Sequence, residues 1–203
     1  MQALHLMALD PVSETICNSN TYGFRKARST ADAIEEVFNI LSTKNSAQWI
    51  LEGDIKGCFD NISHEWLMEN IPIDKQILCQ WLKSGLIFND EFYDTKAGTP
   101  QGGIISPCLA VLTLNGLEKE LKSKFKRKTV KGISIRPKVH IVTYADDFII
   151  TGSSESQLKD EVLPIVKSFM KDRGLELSTS KTLITDINKG FDFLGIHGHF
   201  APA

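Results

Sequence analysis

The sequence lacks the features of a membrane-spanning, secreted or zinc-binding protein. No apolar run approaches the roughly 20 residues that cross a bilayer. The N-terminus has no basic leader and no clear cleavage site, so we interpret residues 1–10 as part of a buried helix and not as a signal peptide. The four cysteines are widely spaced and form no Cys-x-x-Cys pair. This argues against a zinc site and favours free thiols in the reducing cytoplasm.

A surplus of positive charge is also absent. The 23 Lys and Arg residues face 25 Asp and Glu residues, and a net charge of −2 does not indicate a nucleic-acid-binding protein. Basic residues are nevertheless concentrated between positions 119 and 138, where nine of them accompany one acid, Glu120. The nine are Lys119, Lys122, Lys124, Lys126, Arg127, Lys128, Lys131, Arg136 and Lys138. Such a stripe suits phosphate contacts, but a solvated helix end and loop would have the same composition.

The most informative stretch is Tyr144-Ala145-Asp146-Asp147, which lies between the apolar runs 140–143 and 148–150. The pattern predicts a β-hairpin with its acids at the tip. Adjacent carboxylates repel, so a cation between them is expected, although Asp-Asp is also common in ordinary turns. Asp54 lies near the end of a similar apolar run, residues 49–55. If the two strands pair, Asp54 meets Asp146 with Asp147 alongside, and their oxygens are ligands that Mg²⁺ prefers.

The pattern of apolar residues and turn signals predicts an α+β fold. We expect helices over 2–10, 10–16, 29–41, 63–72, 74–84, 106–125 and 156–172. We expect strands over 48–54, 92–96, 175–177, 182–185 and 191–196, a hairpin over 139–151 and a glycine-rich loop over 98–103. This order suits a ferredoxin-like βαββαβ antiparallel sheet with two helices on one face.

Taken in order, the motifs resemble the reverse transcriptase and maturase proteins of group II introns over nearly the whole chain. Residues 22–30 resemble the finger segment, and 51–60, 98–107, 144–147 and 174–182 resemble polymerase motifs A, B, C and D. Phe193-Leu194-Gly195 resembles the primer-side motif that follows. The resemblance implies partial fingers over 1–47 and a polymerase palm over 48–203 that stops before the thumb. It further implies an RNA-directed DNA polymerase, most often bacterial.

The resemblance also implies site residues and ligands. Metal positions are Asp54, Ile55, Asp146 and Asp147, which would hold two Mg²⁺ ions, with Mn²⁺ as a possible substitute. Nucleotide positions are Ile55, Phe59, Gln101 and Arg25. Lys181 would be the general acid for pyrophosphate, and Phe59 would exclude a 2′-hydroxyl by a steric clash. The implied partners are an RNA template, a DNA primer, deoxynucleoside triphosphates and group II intron RNA, with no membrane.

Each of these roles has a simpler alternative. Phe59 can be a core residue, Gln101 can belong to a plain turn, Lys181 can be solvated, and Arg25 can bridge surface elements. Val111 and Ala27 stand where the family typically has asparagine and glycine, and we expect full fingers and a thumb to be missing. Two further functions therefore stay open. One is a non-catalytic RNA-binding or splicing cofactor with a relic polymerase site, and the other is a domesticated or defence-associated reverse transcriptase.

Overall fold

The structure is a computed structural model that describes residues 1–43, 45–88, 91–93, 97–99, 103–130, 133–135 and 137–198. The helices are α1 (Gln2–Ile16), α2 (Thr30–Leu41), α3 (Cys58–Asn61), α4 (His64–Asn70), α5 (Lys75–Leu82), α6 (Ser106–Leu114), α7 (Leu117–Lys124) and α8 (Leu163–Lys171). The strands are β1 (Trp49–Asp54), β2 (Leu86–Phe88), β3 (Glu91–Tyr93), β4 (Lys128–Val130), β5 (Ile133–Ile135), β6 (Ile141–Tyr144), β7 (Asp147–Gly152), β8 (Leu183–Asp186), β9 (Phe191–Phe193) and β10 (Ile196–Gly198). A π-helical segment, Gln157–Val162, precedes α8, and a 3₁₀ turn, Ile187–Lys189, follows β8.

The central sheet has the strand order β6-β7-β1-β8, and each neighbouring pair is antiparallel. With the helices that separate β1 from β6 and β7 from β8, this is the predicted βαββαβ arrangement. The three other strand pairs, β2–β3, β4–β5 and β9–β10, are separate two-stranded hairpins.

Both faces of the sheet are covered, because successive residues of a strand point to opposite faces. Leu51 and Ile150 belong to the main core with α6, the π-helical segment and α8, which form the predicted helical layer. Ile50 and Ile149 point the other way, into a smaller core that α2 closes through residues such as Val37. The prediction of helices on one face is therefore incomplete, since α2 packs on the second face.

Two predicted helix boundaries are wrong. The segment 2–16 forms one helix, α1, with Pro11 inside it, where we predicted two helices. The predicted helix 106–125 is two helices, because Asn115 is extended and Gly116 takes φ 102°. Glycine adopts this left-handed conformation at little cost, and the break turns Leu117 and Leu121 of α7 into the core.

Helix α1 is also less buried than predicted. Its buried residues are Leu9 and Ser13, whereas Met1, Leu4 and Met7 are 83%, 64% and 75% exposed. Within the described ranges, no helix is both long and apolar enough to span a membrane.

The strand predictions near the C-terminus need correction as well. Residues 175–177 form no strand and contribute a single bridge, Leu177 to Ile55. The predicted strand 191–196 is the hairpin β9–β10, which turns at Leu194 (φ 54°) and Gly195 (φ 77°). The predicted strand 92–96 corresponds to β3, paired with β2, and its last three residues lie outside the described ranges.

Candidate active site

The register of β1 against β7 brings the predicted acids together. Asp54 ends β1 and lies directly opposite Asp147, the first residue of β7. Asp146 precedes Asp147 in a two-residue turn between β6 and β7. Ala145, the other turn residue, has φ 57°, a strained conformation for a residue with a Cβ. The two strands therefore pair, but the acid directly opposite Asp54 is Asp147, where we expected Asp146, and Asp146 is the next residue, in the turn.

The three carboxylates interact electrostatically. Burial raises the pKa of the half-buried Asp147, and the negative charges of Asp146 and Asp54 raise it further. In the described part of the chain, no three His, Cys, Asp or Glu side chains are placed so that together they could hold a metal ion. Mg²⁺ usually binds one or two carboxylates and completes its coordination with water and substrate phosphates. Asp54 and Asp147, with Asp146 adjacent, fit an ion that is held in this way.

Lys181 lies against the acids. Its Nζ donates a hydrogen bond to Asp54 Oδ1 at 3.1 Å, and this bond raises the pKa of Lys181. The position is set by backbone hydrogen bonds, because Ser178 N donates to Asp54 O at 2.8 Å and Lys56 N to Glu176 O at 2.9 Å. The segment 176–181 therefore continues beside β1 past its end, and the lysine supplies a positive charge that partly offsets the acidic cluster.

Ile55 follows Asp54, but its side chain points away from the acids. It is 2% exposed and belongs to the main core, next to Leu177. Only the backbone of Ile55 is therefore available for the metal or nucleotide contact that we predicted.

Gly23 supports the acidic turn from behind and was missed by the sequence analysis. Tyr22 N donates to Thr143 O, and Thr143 N donates to Asn20 O, both at 2.9 Å, so residues 20–22 add to the edge of β6. The chain then passes so close to the turn that a Cβ on Gly23 would lie 2.0 Å from Ala145 N. Its only sequence signal is one glycine in a loop, which carries no information about this distant contact.

Phe59 lies beside the acids on α3. Its ring makes an edge contact with Phe24, with 5.6 Å between centroids, and packs against the main core. Phe59, Phe24 and Asp146 line a small cavity of about 10 Å³ that also touches Val111. The ring is thus close enough to the acids for the predicted role at the nucleotide sugar, and it also packs in the way that the simpler alternative requires.

Arg25 is buried and hydrogen-bonded within the protein. Its guanidinium holds both carboxylate oxygens of Glu14 at 2.8 and 2.7 Å and donates to the carbonyls of Asn18 and Thr21. Four of the five N–H groups are used. We predicted a nucleotide contact, but this arrangement favours the structural alternative, in which Arg25 joins α1 to the loop that leads to Gly23.

Gln101 lies outside the described residues, so its predicted contact has no structural account. The adjoining residues pack on α3, where Thr99 N donates to Phe59 O at 2.7 Å and Gly98 N donates to Ile62 O at 2.8 Å. A Cβ on Gly98 would lie 2.3 Å from Phe59 O. The start of the glycine-rich loop is therefore held against the helix that carries Phe59.

A groove of about 330 Å³ runs from the acids to the β9–β10 hairpin. Asp54, Asp147, Lys181 and Leu194 are among its lining residues. Glu52 lies two residues before Asp54 on β1. It accepts hydrogen bonds from Thr185 Oγ1 and Asp192 N, both at 3.1 Å. Glu52 thereby joins the β9–β10 hairpin to the strand that ends at Asp54, a contact that the sequence analysis missed.

Comparison with protein families identifies the class to which this fold and site belong. Residues 1–197 match the family described as "Reverse transcriptase (RNA-dependent DNA polymerase)". The chain belongs to the reverse transcriptase family, whose members generally use divalent metal ions. The resemblance found in the sequence is confirmed.

The curated relatives include intron-encoded proteins. The chain is 32% identical to the group II intron-encoded protein LtrA of Lactococcus lactis subsp. cremoris, covering 92% of this chain and 40% of that protein. It is 29% identical to protein YkfC of Escherichia coli, covering 96% of this chain and 59% of that protein. The chain thus spans about two fifths to three fifths of the length of these relatives.

Solved structures of telomerases share the fold. The telomerase of Candida tropicalis superposes with a TM-score of 0.67 at 16% identity, over 94% of this chain and 35% of that one. The telomerase of Candida albicans superposes with a TM-score of 0.64 at 14% identity, over 97% of this chain and 35% of that one. This likeness confirms the predicted α+β fold of the polymerase palm type.

Proposed function

We propose that this chain is the catalytic core of a group II intron-type reverse transcriptase, which adds deoxynucleotides to a DNA primer on an RNA template. The observation that carries the proposal is the β1–β7 register, which places Asp54 opposite Asp147 beside Asp146. Membership of the family and the intron-encoded relative support the same reaction. In this proposal residues 1–47 belong to the fingers and 48–203 to the palm, and group II intron RNA is the natural partner.

Asp54, Asp146 and Asp147, with the backbone of Ile55, would hold two Mg²⁺ ions, for which Mn²⁺ can substitute. When bound, the ions favour deprotonation of the primer 3′-hydroxyl and neutralise the triphosphate. The three negative charges and the raised pKa of Asp147 support this assignment, because a bound cation would relieve their repulsion.

Lys181 would protonate the leaving pyrophosphate. Its ammonium donates to Asp54 in this structure, so a cation at Asp54 would compete with it and release it. The side chain is 68% exposed and flexible enough to turn towards a phosphate in the groove. Phe59 would lie beneath the sugar of the incoming nucleotide and Gln101 near its base or sugar, whereas Arg25 would support the site by holding α1 to the adjoining loop.

Primer extension on an RNA template with Mg²⁺ and deoxynucleotides tests the proposal. We expect synthesis by the parent chain and a loss of roughly 10³-fold or more in Asp54→Asn and Asp146→Asn, because the charges that hold the ions are removed. Asp160→Asn, at an exposed acid on the π-helical segment, is the matched control and should extend normally.

Equal extension by parent and site variants would contradict the metal assignment. No extension by any folded variant, together with retained RNA binding, would favour the non-catalytic cofactor instead.

A further inference from the structure

A second cleft lies at the opposite end of the central sheet from the acids. It has a volume of about 860 Å³ and is bounded by the ends of α2 and α7 and by the segment that leads into β6. Its lining includes four cationic side chains and two rings, Lys122, Lys126, Arg127, Lys138, Phe125 and His140. We refer to it as the distal basic cleft.

The distal basic cleft is separate from the polymerase site. Ala47 lines it just before β1 begins, whereas Asp54 ends the same strand. Five residue steps along a strand correspond to about 17 Å. Groups in this cleft therefore cannot contact a nucleotide held at the acids, although an RNA of more than about five nucleotides is long enough to reach both places.

The charge of the cleft is strongly one-sided. None of its lining residues is acidic. The four cationic side chains all come from the segment 119–138, whereas the rest of the chain carries 14 basic and 24 acidic residues. The pKa of His140 is lowered first by burial and then by the charge of Lys122, while Glu36 and Glu118 act in the opposite sense.

Some of these basic residues have a structural role, because they stabilise the C-terminal end of α7, but this role does not account for all of them. Lys122 pairs with Glu118 one turn earlier and lies where cations favour the helix dipole. Lys138, however, comes from a different segment, where it has φ 56° and its Nζ donates to Ser46 O at 3.0 Å. This bond holds the wall formed by residues 43–47 against the basic segment, so the cleft is built from two parts of the chain.

We infer that the distal basic cleft is a second RNA-binding site, which holds the phosphate backbone of an RNA while the acids act elsewhere. Lys126, Arg127 and Lys138 supply the charges, and the rings of Phe125 and His140 offer surfaces on which unpaired bases can stack. The inference goes beyond the proposed polymerase reaction and does not depend on it. A polymerase core that holds its RNA at two places would dissociate from it more slowly.

Binding of a labelled single-stranded RNA of about 20 nucleotides, measured across about 0.05 to 0.3 M KCl in EDTA, tests the inference. The cleft variant is Lys126→Gln with Lys138→Gln, and the charge-matched control is Lys83→Gln with Lys159→Gln, at exposed lysines outside the cleft. Each phosphate contact contributes about 0.7 to the slope of log K against log salt, so the cleft variant should lose about 1.4. If the proteins bind equally at 1 M salt, this corresponds to about 25-fold weaker binding at 0.1 M.

The control variant should bind like the parent, and primer extension at saturating primer–template should be the same in all three proteins. A cleft variant with the parent's affinity and salt slope would overturn the inference. If that variant fails to fold, the parent protein is instead cross-linked to RNA that contains 4-thiouridine, and the cross-linked residues are identified. Cross-links at residues 122–127 or 137–140 support the site, and their absence there refutes it. Failure of primer extension alone would count against the polymerase proposal and leave RNA binding at the cleft unaffected.

Discussion

Asp147 carries an electrostatic cost that should be visible in stability. Its pKa is raised mainly by burial, so the folded chain holds a proton on Asp147 more tightly than the unfolded chain does. The free energy of unfolding therefore falls as the pH rises from the pKa of Asp147 in the unfolded chain to its pKa in the folded chain. Above the folded-state pKa the full reduction applies. We predict that, at pH 7 and without metal, Asp147→Asn melts up to a few degrees higher than the parent in thermal scans. Each kcal/mol gained in the free energy of unfolding raises the melting temperature by about 2–4 °C in a protein of this size.

The difference should shrink as the pH is lowered through the pKa of Asp147. Mg²⁺ with a deoxynucleoside triphosphate should then stabilise the parent more than the variant, because only the parent has the complete set of acids. Asp160→Asn is the control. A parent that is more stable than Asp147→Asn at pH 7 without metal would contradict the picture of mutually repelling acids.

Phe59 lies at the border between the main core and the candidate active site. Discrimination between deoxynucleotides and ribonucleotides can show whether it acts as a packing residue or also excludes a 2′-hydroxyl. Its ring packs on the core but also lines the small cavity that contains Asp146. We predict that Phe59→Ala lowers the preference for deoxynucleotides over ribonucleotides by roughly tenfold or more, because the clash with the 2′-hydroxyl disappears. The measurement is the ratio of single-nucleotide incorporation rates for the two sugars.

Phe38→Ala, at a phenylalanine that is 54% exposed on α2, should leave that ratio unchanged. If Phe59→Ala lowers the melting temperature but not the ratio, Phe59 is a packing residue only.

At the scale of elements, the acidic turn depends on a neighbouring loop that must come very close. A Cβ at Gly23 would lie 2.0 Å from Ala145 N, and a backbone atom cannot move aside as a flexible side chain can. We predict that Gly23→Ala destabilises the protein by roughly 2 kcal/mol, in the range of overpacked sites, and abolishes primer extension by displacing the turn. Chemical denaturation and primer extension measure the two effects.

Gly195→Ala is the comparison for stability. Gly195 has φ 77° but open space around the position of a Cβ, so it reports conformational strain without a clash. A Gly23→Ala protein that is as stable and active as the parent would show that the loop does not support the turn.

The sequence was sufficient to predict the elements whose signals are local. Short apolar runs predicted β1 and the β6–β7 hairpin, and with them the approach of Asp54 to the acids of the turn. A helix over 29–41 was predicted, and α2 begins there, with Ser29 capping it through a capping box with Asp32. The break at Gly116 was missed because a single glycine does not outweigh a long helical pattern until tertiary packing decides.

Contacts between distant segments could not be predicted from the sequence for a different reason. The approach of Gly23 to Ala145 and the bonds of Glu52 to Thr185 and Asp192 depend on how separate elements meet. The resemblance implied that Arg25 contacts a nucleotide, and the sequence also allowed a bridge between surface elements. An arginine in a loop gives no sign that Glu14 will pair with it, so the sequence did not decide between the two.

At the scale of the whole molecule, the acids of the candidate active site and the distal basic cleft are far apart. The acids lie at one end of the central sheet, and the distal basic cleft lies at the other. A near-neutral total of −2 hides this separation, which explains why composition did not indicate a nucleic-acid-binding protein. We propose that the acidic end carries out the chemistry and that the basic end holds RNA.

The central claim is that acids 92 positions apart in the sequence, Asp54 and Asp146, share one divalent-metal site. Fe²⁺ can replace Mg²⁺ at oxygen ligands, and with ascorbate and peroxide it cleaves the backbone beside its own site. In the presence of a deoxynucleoside triphosphate, we predict cleavage near both residue 54 and residues 146–147, suppressed by excess Mg²⁺ and absent in Asp54→Asn. Cleavage at only one of the two segments, or unchanged cleavage in that variant, would contradict the account.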